Sequence, residues 1–162
     1  MLEIVEHPNT VLLSPASHVA SFDVELKKLV EEMTMTMYAS GGVGLAAPQV
    51  NVSKRIVLID PSEGNEANKL VAMINPVVTW VSDQKALGEE GCLSLPGVRL
   101  QVPRAVAVNV EYHDVVGNVH QWACSDAWTA RIIQHEVDHL DGFMMLDRAS
   151  LLARKLGMKG TR

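Results

Sequence analysis

The run His135-Glu136-Val137-Asp138-His139 limits this chain more than any other stretch. On a helix, side chains four apart share a face, so both imidazoles can reach one metal ion while Glu136, about 100° around the axis, can lie beside a water on that ion. Such a helix must be held firmly by the rest of the fold, and the chemistry it points to is metal-dependent hydrolysis. The same string also arises by chance in helices whose polar residues face water. Here Ile132, Ile133, Val137 and Leu140 surround the pair, so the histidines sit in an apolar segment where an unpartnered imidazole is costly.

A third ligand is expected from Cys92, in Glu90-Gly91-Cys92-Leu93-Ser94. Pro96 and Gly97 follow, and the stretch reads as a turn entering or leaving a strand. A thiolate and two imidazoles leave one position of a tetrahedral ion open, which is the pattern of a catalytic rather than a structural site. Cys124 makes the cysteine count even, which also admits a disulfide. Against that, the start Met1-Leu2-Glu3-Ile4-Val5-Glu6 is acidic and lacks the basic and apolar regions of a secretory leader. The expected compartment is a reducing cytoplasm in which both thiols stay free, with Cys124 packed in the Val119 to Cys124 segment.

With 162 residues, 48% hydrophobic and 20% charged, the chain is expected to form one catalytic domain over residues 1–162, large enough to bury a sizeable core. No apolar run nears the roughly 18 residues that suggest a membrane span. The net charge is −5 and there is no basic cluster, so neither a membrane nor DNA is an expected partner.

The spacing of apolar residues predicts two good helices with strands between them. Ser21 is read as the cap of a helix whose stripe is Leu26, Leu29, Val30, Met33 and Met37, stopped by Gly41 and Gly42. The methionines read as core filler, with Met35 partly exposed. Strands are expected at Arg55 to Asp60, Val71 to Asn75 and Val77 to Val81, and a hairpin from Val106 to His113 and Val119 to Cys124 turns at Gly117-Asn118. Ser125 and Asp126 open the metal helix and Gly142 closes it, and a short helix from about Arg148 to Leu156 takes Asp147 as its cap. The order favours an α+β fold with sheet backing the metal helix.

Gly42-Val43-Gly44-Leu45-Ala46-Ala47-Pro48-Gln49 forms a second constellation. No third glycine follows at the dinucleotide spacing and no Lys-Ser/Thr completes a phosphate loop, so a nucleotide role is not expected. The glycines permit close approach of a peptide-like ligand to the backbone, and Gln49 supplies an amide donor.

Together Gly42 to Gln49, Glu90 to Ser94 and His135 to His139 resemble the three signature motifs of the peptide deformylase family, in the family's order and at compatible separations. The likeness runs from about His7-Pro8 to about Asp147. It implies mixed or antiparallel sheets packed around a central metal-binding helix. It also implies removal of the formyl group from the N-terminal formylmethionine of nascent polypeptides. Cys92, His135 and His139 would hold one divalent ion, Glu136 would be the general base, and Gln49 with the backbone N–H of Leu93 would face the developing oxyanion. Fe(II) is the metal the resemblance implies, with zinc or nickel able to occupy the same ligands. It further implies a methionine pocket formed partly by Val43, Gly44, Trp128 and Ile132, and an Arg99 placed to contact substrate. Arg104 matches a family arginine able to pair with Asp138 and brace the helix, and Glu90 is read as orienting the ligands from beside the metal.

Trp128 and Arg131 resemble the subgroup seen in organelles and some bacteria, which bears on preference beyond the methionine. The partners implied are formylated nascent peptides and, transiently, the ribosome, although the stretch after Asp147 is short for such docking. His7, His18, His113 and His120 lack ligand spacing and read as structural or solvated. Two other classes share the helix motif. A zincin-type metallopeptidase usually draws its third ligand from downstream, and a non-catalytic metal-binding relative is expected to lose Glu136 or Gln49 first.

Overall fold

The computed structural model describes residues 1–157. Its elements run α1 (Val24–Ala39), β1 (Gly44–Ala46), β2 (Ile56–Ile59), β3 (Val71–Val81), β4 (Lys85–Cys92), β5 (Leu95–Ala105), β6 (Val108–His113), β7 (Val119–Cys124), α2 (Ala127–Leu140), α3 (Met145–Arg148) and α4 (Leu151–Gly157). Five strands form an antiparallel sheet in the order β1-β2-β3-β6-β7, and β4 and β5 form a separate hairpin. The architecture is α+β. No helix among the described residues is long and apolar enough to cross a membrane.

The continuous apolar run of β2 has a structural cause. Alternate residues of a strand point to opposite faces, and both faces of this one are covered. Val57 and Ile59 pack with Ile133, Val137 and Leu140 of α2, whereas Ile56 and Leu58 pack with Leu26, Met33 and Met37 of α1. Each such fully buried side chain contributes about 2 kcal/mol. The metal-motif helix is thereby clamped against the sheet along its apolar face, leaving its polar face to the β4–β5 hairpin. On that hairpin Val98, Leu100 and Val102 alternate inward and pack with Leu12, Met144 and Met145 in a third cluster.

Several elements differ from the sequence expectation. Helix α1 starts at Val24 with Asp23 as its cap, because the Asp23 carboxylate accepts from the N–H of Leu26 at 2.9 Å; Ser21 lies too far upstream to do so. The two strands expected on either side of Pro76 are one strand, β3, whose register against β6 slips between Ile74 and Val77. A bulge there accommodates a residue with no N–H to donate. Asn75 beside it takes φ +51°, held by paired hydrogen bonds between its side chain and the backbone N–H and C=O of Val19. Within the Gly42 to Gln49 segment, to which the sequence reading assigns no element, Gly44–Ala46 pairs with β2 and Ala47–Val50 makes a 3₁₀ turn. The helix expected to start at Asp147 is two short pieces. Asp147 lies inside α3 and accepts from the N–H of Met144 at 2.8 Å, and Ser150 caps α4.

The ends of α2 follow the sequence reading. Asp126 accepts from the N–H of Thr129 at 3.0 Å, and Gly142 takes φ +82° just beyond the last turn. A Cβ on Gly142 would meet the backbone of Leu13 at 2.9 Å, so this exit needs glycine twice over. Cys92 and Cys124 are both free thiols.

Candidate metal centre

Two pieces of chain meet at the site. The end of β4 delivers Cys92, and α2 delivers His135, Glu136 and His139. One ligand atom each from Cys92, His135 and His139 lies within 4.8 Å of the others, the one such grouping among the described residues. Cys92 Sγ stands 3.4 Å from His139 Nε2. Tetrahedral coordination with sulfur at about 2.3 Å and nitrogen at about 2.1 Å separates the two donors by about 3.6 Å, so the spacing fits one shared ion. Both histidines are buried.

His135 is oriented from behind. Its Nδ1 faces the Glu90 carboxylate at 2.9 Å and donates to it, which leaves Nε2 as the nitrogen that would take the metal. Arg104 grips the same carboxylate with a fork, Nε to Oε2 at 2.9 Å and Nη2 to Oε1 at 3.0 Å. Burial alone would raise the Glu90 carboxyl, but hydrogen bonds from His135 and Arg104 hold it down at about 2. Arg104 also donates from Nη1 to Asp138 at 2.6 Å, and Asp138 turns away from the ligands to take Arg148 as well.

Glu136 is placed differently. It is buried, and its Oε2 has no hydrogen-bond partner among the described residues. Burial pushes its carboxyl up to about 7, close to neutral pH. Its other oxygen packs against Gly44 so closely that a Cβ there would lie 2.6 Å from it. Glycine at position 44 is therefore what lets the carboxylate occupy this place.

Gln49, 1% exposed, is locked end for end. Its Oε1 accepts from the N–H of Ala46 at 2.9 Å, which turns its amino end toward Cys92 Sγ at 3.6 Å and Ser94 Oγ at 3.3 Å. Leu93 sits in the turn between β4 and β5, and its side chain closes on Gly42. A cleft of about 420 Å³ opens over these groups. Val43, Gly44, Arg99, Trp128 and Ile132 all line it, as do Gln49, Glu90, Cys92, His135 and Glu136. Ile132 is buried, Trp128 is 45% exposed at the rim with its indole N–H 3.4 Å from the carbonyl of Pro61, and the exposed Arg99 lies 4.0 Å from Glu89.

Sequence reasoning gave Arg131 and Arg148 no place at the site. Arg131 is buried between α2 and the hairpin, and an arginine between Ala130 and Ile132 on the apolar face was the signal available. Arg148 reaches Asp138 from α3, a contact no local pattern announces. Of the other histidines, His120 pairs with Asp114 in the β6–β7 turn and His113 packs on Phe22, both apart from the ligand grouping.

Residues 1–155 match the family model described as polypeptide deformylase. The chain is 44% identical over 147 residues to the peptide deformylase of Picosynechococcus sp., covering 91% of this chain and 78% of that one. It is 40% identical over 159 residues to the peptide deformylase of Thermodesulfovibrio yellowstonii, covering 98% and 95%. Among solved structures it is similar to a peptide deformylase from Synechococcus elongatus in complex with actinonin, with TM-score 0.94, 36% identity and coverage of 99% and 87%. The peptide deformylase of Thermotoga maritima superposes with TM-score 0.87 at 38% identity, covering 93% and 98%.

Proposed function

Because the chain belongs to the polypeptide deformylase family, we propose that Cys92, His135 and His139 hold one divalent ion and that Glu136 carries the protons of the reaction. The enzyme is a hydrolase that removes the N-formyl group from the formylmethionine of nascent polypeptides and releases formate. The observation carrying the residue assignment is the grouping of half-buried Cys92 with buried His135 and His139, beside a Glu136 carboxylate oxygen that has no partner among the described residues and lines the same cleft as Cys92 and His135.

An ion bound there supplies Lewis acidity, making a water nucleophilic near neutral pH and polarising a carbonyl. Glu136 accepts the proton released as water attacks the formyl carbon, then delivers it to the nitrogen, which must be protonated to leave. The Gln49 amide and the N–H of Leu93 donate to the oxygen that gains charge, each worth about 3 kcal/mol by analogy with other oxyanion holes. Val43, Trp128 and Ile132 form the methionine pocket, the peptide backbone passes Gly44, and Arg99 contacts the chain beyond. Glu90, Arg104 and Asp138 hold the ligand-bearing parts in register. Residues 1–162 act as one catalytic domain.

Gly44→Ala is expected to keep the fold yet lower kcat/KM roughly 10²-fold, since its Cβ would push the Glu136 carboxylate out of line. Steady-state kinetics beside a thermal melt check this. Unchanged kcat/KM contradicts the placement of Glu136.

Fe(II) is the proposed metal, with zinc or nickel able to replace it. Activity is expected to fall in air and persist without oxygen, because a thiolate beside Fe(II) is open to oxidation at Cys92. Equal activity in both, with iron bound, contradicts the iron assignment. A reducing cytoplasm suits a site whose thiol must stay free, and the substrate's origin makes brief contact with the ribosome part of this proposal.

Formate release from formyl-Met peptides, measured beside cleavage of internal peptide bonds, tests the reading. Formate alone is expected, and internal cleavage without formate contradicts it.

A further inference from the structure

Arg131 lies one helical turn before His135 on α2, so the two side chains share a face. They hold different oxygens of one carboxylate: Arg131 Nη1 donates to Glu90 Oε2 at 2.7 Å while His135 Nδ1 faces Oε1 at 2.9 Å. The guanidinium also donates from Nη1 to the carbonyl of Val102 at 2.7 Å and from Nη2 to that of Ala86 at 2.8 Å. These carbonyls belong to β5 and β4, so one side chain ties α2 to both strands of the hairpin that carries Cys92. Gly88 makes room for it, since a Cβ there would lie 2.7 Å from the Arg131 Cζ.

We propose that Arg131 is a positioning residue for the metal site, fixing the ring of His135 through Glu90 and the place of Cys92 through the hairpin. Arg104 grips Glu90 from β5 and reaches α2 near its end at Asp138, whereas Arg131 crosses from α2 one turn before His135 to both strands of the hairpin. The planar guanidinium of Arg131 spreads its donors over the Glu90 carboxylate and the carbonyls of Val102 and Ala86 at once, a pattern a lysine ammonium does not reproduce. The inference rests on the three-ligand site proposed above.

Cobalt(II) affinity, measured by chelator competition and by the thiolate-to-cobalt charge-transfer band, tests it. The proteins compared are wild type, Arg131→Met and Gly88→Ala, well below their melting temperatures. Both variants are expected to bind cobalt 10–100-fold more weakly, the usual loss when a partner behind a metal ligand is removed. Wild-type affinity in folded variants, with only a lowered melting temperature, overturns the role of Arg131. Should Arg131→Met fail to fold, Gly88→Ala decides, because it deletes no atom of the network. A wild-type protein that binds no cobalt would instead sink the metal site itself.

Discussion

Glu136→Ala protein is expected to bind one equivalent of metal as the parent does and to release formate roughly 10²–10⁴-fold more slowly, the span general acid–base catalysis covers. The carboxylate is not in the proposed ligand set, so its loss leaves the sulfur and both imidazoles in place. What disappears is a carboxyl in the cleft that burial pushes up to about 7, where it can both take a proton and return it near neutral pH. Folding should suffer little, because the deleted side chain carries a buried oxygen with no partner among the described residues. Glu136→Gln, which keeps the shape, is expected to show the same loss. Metal analysis, a thermal melt and formate release on the same preparation check this, and turnover within a few-fold of the parent would rule out Glu136 as the proton carrier.

Arg104→Met is expected to act in the opposite way, costing about 3–5 kcal/mol of stability because it leaves Glu90 and Asp138 short of their shared cation. In a chain this size that lowers the melting temperature by on the order of 10 °C. The folded Glu90 carboxyl sits at about 2 against an ordinary value of 4.5. A lowered folded value stabilises the protein above the ordinary value and is lost as pH falls toward the folded one. The parent should therefore hold this contribution down to about pH 4.5 and lose it toward pH 2, and the variant should unfold at higher pH. Acid titration followed by circular dichroism checks the direction. Coincident curves would show that the pairing adds nothing.

The parts of the molecule legible in the sequence are those written in local spacing. The two imidazoles and Glu136 follow from helical periodicity, the caps of α2 from Asp126 and Gly142, and the β6–β7 hairpin from alternation and Gly117-Asn118. The β4–β5 hairpin was not legible as a strand pair. Lys85 to Cys92 is rich in glycine and glutamate, and its strand conformation depends on β5 and on side chains from α2 that lie far off in sequence. Arg131 escaped for a related reason. A single arginine in an apolar stripe does not disclose a partner 41 residues upstream, nor that Gly88 is shaped to receive it. Gly44 likewise reads as room for a peptide-like ligand, and the Glu136 carboxylate packed on it, 92 residues downstream, is not written in the local sequence.

X-ray absorption at the edge of the bound metal, on wild type and on Cys92→Ala, bears most directly on the site. One sulfur at about 2.3 Å and two imidazole nitrogens at about 2.1 Å are expected in the wild type, with the sulfur signal gone in the variant. A metal surrounded only by oxygen and nitrogen in the wild type, or a sulfur shell that survives the loss of Cys92, would contradict the assignment.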